Sequence, residues 1–229
     1  MSTLLDLLFP PRCAFCGQLL EAPGDVCGDC ERALPRRTGG DVLSFIGERG
    51  YPCAAALYYD RPASLGIKAL KFGKKSWRAR VFARYLAQAV RAALAGQFDE
   101  ITYVPVSRRR RFRRGFDQAR LLAEETARLL GSRAVPTLRK TRHNRAQSSI
   151  ADPRLRAGNV RGAYAVPRPE RVRGRRFLLI DDVCTTGSTL SAAADALLDA
   201  GAAGVVCAAL AGGHRKTREK RESAVSLKN

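Results

Sequence analysis

The most restrictive stretch in this chain is Asp181-Asp182-Val183-Cys184-Thr185-Thr186-Gly187-Ser188-Thr189. It follows the unbroken apolar run Phe177-Leu178-Leu179-Ile180. It precedes apolar residues at helical spacing: Leu190, Ala193, Ala194, Leu197 and Leu198. The order is therefore buried strand, acidic pair, small hydroxyl-bearing loop, helix. Backbone N–H groups at a helix start lack intrahelical partners, and the helix dipole adds partial positive charge, so an anion is favoured there. Small residues let the chain wrap a phosphate closely, and the hydroxyls of Thr185, Thr186, Ser188 and Thr189 can donate to it. A bare phosphate gains nothing from two carboxylates. A ribose 5-phosphate does, because Asp181 and Asp182 can accept hydrogen bonds from ring hydroxyls while the loop holds the phosphate. An ordinary strand–turn–helix joint capped by an Asp is the plainer alternative, but it does not require two Asp followed by Thr-Thr-Gly-Ser-Thr.

The rest of the chain repeats strand–helix alternation. Strands are expected at Pro52–Tyr59, Ile101–Val104, near Ala134–Leu138, and at Gly204–Leu210, with Asn159–Val166 extended. Ala63–Phe72 reads as a short helix with Lys68 and Lys71 on one face. Ser76 is a candidate N-cap for a helix to about Ala95, with Val81, Tyr85, Ala89 and Ala93 in its apolar stripe and arginines opposite. A helix opening at Gly115-Phe116-Asp117-Gln118 has Ala119, Leu122, Ala123, Thr126 and Leu130 on its apolar face and ends at Gly131. This alternation predicts an α/β fold with a doubly wound, mostly parallel sheet. Ligands of such sheets sit beyond the carboxyl ends of the strands. Both Asp181–Thr189 and Ser107–Arg114, a run with six arginines, lie at such ends. Two anion loops on one edge suit a substrate with phosphate at one end and pyrophosphate at the other, with Ser107 and Arg108 facing the pyrophosphate. The remaining arginines read as solvated surface or a nucleic-acid patch.

Four of the seven cysteines fall in one stretch, Cys13-x2-Cys16 and Cys27-x2-Cys30. Two such turns place four thiolates around one ion, the four-sulfur shell of structural Zn2+. A filled shell leaves no position for water or substrate. Disulfides or a redox pair are the alternatives; the lack of a secretory signal weighs against the first, and the doubled turn against the second. Cys53 and Cys207 read as core. Cys184 sits within the phosphate loop, where packing is expected over nucleophilic work.

The chain of 229 residues suits one α/β domain and a small appendage. No apolar stretch approaches the ~18 residues of a membrane span, and a cytoplasmic location is expected. Lys and Arg number 41 against 21 acidic residues, a net charge of +20, and such a field attracts nucleic acid, phosphorylated small molecules and anionic lipid.

The loop at Asp181–Thr189 resembles the phosphoribosyl-pyrophosphate loop of type I phosphoribosyltransferases. The ordered set of cysteine knuckles, Ile67-Lys68-Ala69-Leu70-Lys71-Phe72-Gly73, Val104-Pro105-Val106-Ser107, Arg114-Gly115-Phe116-Asp117-Gln118-Ala119 and Asp-Asp-Val-Cys-Thr-Thr-Gly-Ser-Thr is similar to the ComF family. Gln147 and Asn159, flanking Arg154 and Arg156, fit the same pattern. The resemblance runs from Cys13 to about Gly213 and implies a type I phosphoribosyltransferase fold behind an N-terminal double zinc ribbon. It divides the chain into a ribbon and linker (1–40), a phosphoribosyltransferase-like domain (41–213) and a basic tail (214–229). It further implies phosphoribosyl pyrophosphate or a related sugar phosphate as ligand, with Mg2+ accompanying the pyrophosphate. Asp181 and Asp182 would then hold the ribose, Arg108 and Lys71 the departing pyrophosphate, and the 140–158 stretch would order over the site. The acceptor is not written in the sequence. The family's link to DNA uptake in competence adds single-stranded DNA and DNA-uptake proteins as partners, and a non-catalytic DNA- or partner-binding role as the alternative to transfer. Asp117 stands where the family usually has Asn.

Overall fold

The computed structural model describes residues 10–72, 75–141 and 162–213, with Arg108 described by its backbone alone. Helix α1 (Gly28–Ala33) closes the cysteine module. Strands β1 (Leu43–Ile46) and β2 (Tyr51–Leu57) form a hairpin. Helices α2 (Ala63–Phe72) and α3 (Arg78–Leu94) lead to β3 (Glu100–Tyr103). Then come α4 (Arg108–Arg114), α5 (Gln118–Leu129), and the short strands β4 (Arg139–Lys140) and β5 (Tyr164–Ala165). Strand β6 (Arg176–Cys184), helix α6 (Ser188–Asp199) and strand β7 (Gly204–Gly212) complete the described residues.

The main sheet runs β1-β2-β7-β6-β3. All its pairings are parallel except the β1–β2 edge. Its central strands β6 and β7 are apolar along nearly their whole length because both faces are covered. One face carries α2, α3, α5 and the cysteine module in one core; the other carries α6 with the β4–β5 ribbon. The fold class is therefore the one expected: doubly wound, mostly parallel, with a small N-terminal module.

Several local expectations are corrected. Ser76 does not cap α3: Trp77 occupies the cap position without a side-chain bond, whereas the helix end, at Leu94 with Ala95 as its C-cap, is as expected. The buried face of α3 centres on Phe82, Leu86 and Val90, with Tyr85 and Ala93 at its margin. Its first arginine is not on the solvent side, since Arg78 is 1% exposed. Ala134–Leu138 is not a strand; Ala134 makes a single bridge to Ile101, and pairing resumes only at β4. The arginine run is helical, because Ser107 caps it and Gly115, at φ +82°, stops it in the left-handed region. Strand β1 has no sequence expectation; its burial is too uneven to read as alternation. Gln147, Asn159, Arg154 and Arg156, the 142–158 part of the expected covering stretch, and the tail lie outside the described residues.

Candidate metal and sugar-phosphate sites

The first knuckle turns tightly: Gly17, at φ +83°, donates its N–H to Cys13 O, and Cys13 N–H donates to Gln18 O. The second knuckle runs into α1, where the Cys27 thiol accepts from Cys30 N–H at 3.5 Å. The four sulfurs of Cys13, Cys16, Cys27 and Cys30 lie within 4.8 Å of one another, and Cys16 and Cys27 Sγ are 3.7 Å apart. A tetrahedral shell with Zn–S bonds of about 2.3 Å separates its sulfurs by about 3.8 Å. The residues fit the ion, and the module is a structural zinc site.

Arg78 joins this site to the body, and sequence reasoning missed it. Its Nη1 donates to Ala14 O at 2.6 Å and Phe15 O at 3.3 Å, within the first knuckle. Burial lowers its pKa, and the Cys13 and Cys16 thiols act in the opposite sense. A buried guanidinium is tolerated where it is paired and hydrogen-bonded, and four thiolates on a divalent ion leave two negative charges to balance.

Strand β6 carries the acidic pair on its last turns before the loop. Asp181 is 9% exposed and Asp182 4%. Asp181 Oδ1 accepts the N–H of Asp182 at 2.8 Å. Asp182 Oδ1 pairs with Lys71 Nζ at 2.9 Å, and Lys71 projects from the last turn of α2. Asp182 Oδ2 is buried with no hydrogen-bond partner among the described residues. Burial drives the Asp181 carboxyl well above the usual range, and neighbouring Asp182 adds to this. Burial works against the Lys71 charge, but Asp182 and then Asp181 outweigh it and its pKa is raised.

Past Cys184 the chain turns through Thr185 and Thr186, both exposed, to Gly187. Gly187 sits at φ +76°, and a Cβ there would stand 2.6 Å from Ile46 Cβ. Only glycine lets the loop close on β1 and present the α6 N-terminus. Thr186 Oγ1 and Ser188 Oγ are 2.8 Å apart, and Ser188 N–H reaches Thr186 Oγ1 at 3.4 Å. A cavity of about 530 Å³ is lined by Asp181 to Thr189 together with Lys71, Arg110, Arg114, Lys140 and Tyr164. Val183, Thr185, Ser188 and Thr189 thus share one cavity wall with the acidic pair. Cys184 also lines it; the residue is buried, and its thiol pKa is lowered chiefly by a hydrogen bond from Cys53.

The second expected anion loop is built differently. Ser107 Oγ accepts Arg110 N–H as the cap of α4, and Arg108 opens that helix. Asp117 shapes the same corner: Oδ1 accepts Arg120 N–H at 3.2 Å and Oδ2 accepts Val106 N–H at 2.9 Å. Arg114 bonds Gln118 Oε1 at 2.9 Å and lies over the Phe72 ring. Lys140 and Tyr164 also enter the cavity; neither was singled out from sequence, because their meeting depends on pairing across β4 and β5.

A mostly parallel sheet with an acidic pair and a small hydroxyl-bearing loop at its carboxyl edge, behind a four-cysteine ribbon, defines a type I phosphoribosyltransferase-fold protein with an N-terminal zinc module. The phosphoribosyl transferase domain model matches residues 117–229, and the double zinc ribbon domain model residues 4–40. The DNA utilization protein YhgH of Salmonella typhi is 32% identical over 223 residues, covering 87% of this chain and 96% of that protein. Competence protein F of Haemophilus influenzae is 32% identical over 191 residues, covering 79% and 76%. The chain belongs to the ComF family. Among solved structures, the glutamine phosphoribosylpyrophosphate amidotransferase from B. subtilis aligns over 58% of this chain and 26% of that chain, at 24% identity and a TM-score of 0.39. Among the described residues no helix is long and apolar enough to cross a membrane.

Proposed function

We propose that this protein binds phosphoribosyl pyrophosphate or a related sugar phosphate at the Asp181–Thr189 loop and transfers the phosphoribosyl group to an acceptor. One observation carries the reading. Asp182 lines the cavity that receives the N-terminus of α6, and its Oδ2 is a buried carboxylate oxygen with no hydrogen-bond partner among the described residues. An orphaned buried acceptor is costly unless a ligand satisfies it, and a ribose hydroxyl or a metal-bound water supplies the missing donor. In this reading Val183 to Thr189 hold the 5-phosphate and Asp181 and Asp182 the sugar. Lys71, and Arg108 at the start of α4, stabilise the negative charge that builds on the departing pyrophosphate. Mg2+, carried by the pyrophosphate, would neutralise the leaving group; the carboxylates are the hard oxygen donors it takes. Residues 1–40, 41–213 and 214–229 are its ribbon, transferase-like domain and tail, and the unpaired cysteines suit the reducing cytoplasm.

Calorimetric titration of the full chain with phosphoribosyl pyrophosphate and Mg2+ tests this, beside an acceptor screen read by pyrophosphate release. Micromolar binding abolished by Asp182→Asn is the expected outcome. Absence of binding to wild type overturns it.

A second reading is favoured by the surface beside the cavity. Phe112 is 94% exposed within the arginine helix α4, and Phe72 is 65% exposed beside it under Arg114. Aromatic rings among arginines suit stacked single-stranded bases, and the relatives' names, DNA utilization and competence, support DNA as the partner. Affinity for single-stranded DNA should fall steeply with salt and several-fold on Phe112→Ala; indifference to both rules this surface out.

A further inference from the structure

We propose that Arg78 is the counter-charge of the zinc site: its guanidinium polarises two peptide groups of the first knuckle that donate to the Cys13 sulfur, and so sets how tightly the four cysteines hold their ion. The peptide units joining Ala14 to Phe15 and Phe15 to Cys16 each face two ways. Their carbonyls, Ala14 O and Phe15 O, accept from Arg78 Nη1 at 2.6 Å and 3.3 Å. Their N–H groups, on Phe15 and Cys16, donate to the Cys13 sulfur alongside that of Cys27. In a trans peptide the C=O and N–H point in opposite directions. One guanidinium therefore pulls on both dipoles in the sense that strengthens their N–H bonds to a thiolate.

A cation in this position needs a reason. Arg78 is the largest of the fully buried side chains, and its Nε has no hydrogen-bond partner among the described residues. The negative groups that act on its charge are the Cys13 and Cys16 thiols, not a carboxylate. Burying a cation is costly unless an opposite charge stands close. Four thiolates on a divalent ion carry two negative charges, and Arg78 offsets one of them. The guanidinium is held against the knuckle from two sides. A Cβ on Gly17, the residue after Cys16, would stand 3.3 Å from Nη2. On the other side the Trp77 ring centroid lies 5.5 Å from Arg78 Cζ. Trp77 is the single tryptophan of the chain, so its emission reports on this contact.

The test is competition for zinc between the full chain and a chromophoric chelator under reducing conditions, with cobalt(II) loading and Trp77 emission as further readouts. Arg78→Gln keeps an N–H donor for a carbonyl but not the charge. It should weaken zinc binding about tenfold or more, the scale of losing a partner that supports a metal ligand, and shift the thiolate-to-cobalt charge-transfer band. Arg78→Lys restores the charge without the fork and should recover part of the affinity. Phe82→Leu loosens the same knuckle, since Phe82 and Phe15 have ring centroids 5.1 Å apart, and touches neither carbonyl. It should lower the melting temperature and leave the cobalt band in place. Wild-type zinc affinity in Arg78→Gln overturns the proposal, as does an Arg78→Lys variant no better than Arg78→Gln. Equal zinc losses in Arg78→Gln and Phe82→Leu mark a packing role and overturn it too. In the wild type, Trp77 emission should change when zinc is withdrawn; emission indifferent to zinc overturns the proposal without any variant.

Discussion

Asp181 and Asp182 are adjacent in sequence yet meet different fates. Asp182 has Lys71 against one oxygen, whereas Asp181 is buried beside another carboxylate and, among the described residues, accepts a backbone N–H alone. Its carboxyl is raised in the folded protein. The folded state therefore loses stability, relative to the unfolded chain, as pH rises from about 4, the unfolded carboxyl value, through the folded value. Asp181→Asn removes that penalty. Its melting temperature should exceed wild type at neutral pH and converge with it near pH 3, measured by scanning calorimetry, while sugar-phosphate binding is lost. Asp117 shows why a carboxylate suits a position where the family usually has Asn. Both its oxygens accept backbone N–H groups, one capping α5 and one holding Val106; an Asn amide offers one acceptor. Asp117→Ala should cost about 2 kcal/mol, a cap and a second bond, and Asp117→Asn less than that, by urea unfolding.

The joint between β6 and α6 is the element that makes the cavity. Its constraint is steric: the chain must turn at positive φ while touching Ile46. Gly187→Ala should destabilise by about 1–2 kcal/mol from the backbone term alone, and the loop should lose its ligand before the fold melts, which parallel titration and denaturation would separate. Helix α2 is similarly held. A Cβ on Gly66 would lie 3.1 Å from Phe15 Cα and 2.9 Å from Phe82 Cζ, so the first cysteine knuckle rests directly on the helix whose last turn carries Lys71. Much of this was legible locally. The β6 strand, the start of α6, α2 and the opening of α5 near Asp117-Gln118 follow from apolar spacing and turn residues within a few positions. The α4 helix was not, because an arginine run has no apolar periodicity and is set by Ser107 and Gly115 at its ends.

For the whole molecule, the zinc module and the transferase-like body share one core, with Phe15 against Phe82 and Tyr85 of α3 and Arg78 reaching back into the knuckle. Removing the metal with a strong chelator should therefore lower the melting temperature of the full chain and raise amide hydrogen exchange in α2 and the start of α3; exchange confined to the ribbon would show the two to be uncoupled. Cysteine spacing, the acidic pair before a small loop, and alternating strand and helix patterns were enough to determine the fold class, the zinc ligands and the strand–loop–helix joint at Asp181–Thr189, because each rests on the order and spacing of residues along the chain. Tertiary structure alone decided that Lys71 reaches Asp182, that Arg78 is interior, that Lys140 seats on Tyr164, and that Ser107 caps a helix. Those outcomes depend on contacts between segments far apart in the chain, whose energies arise only when the sheet and its two helical layers have closed.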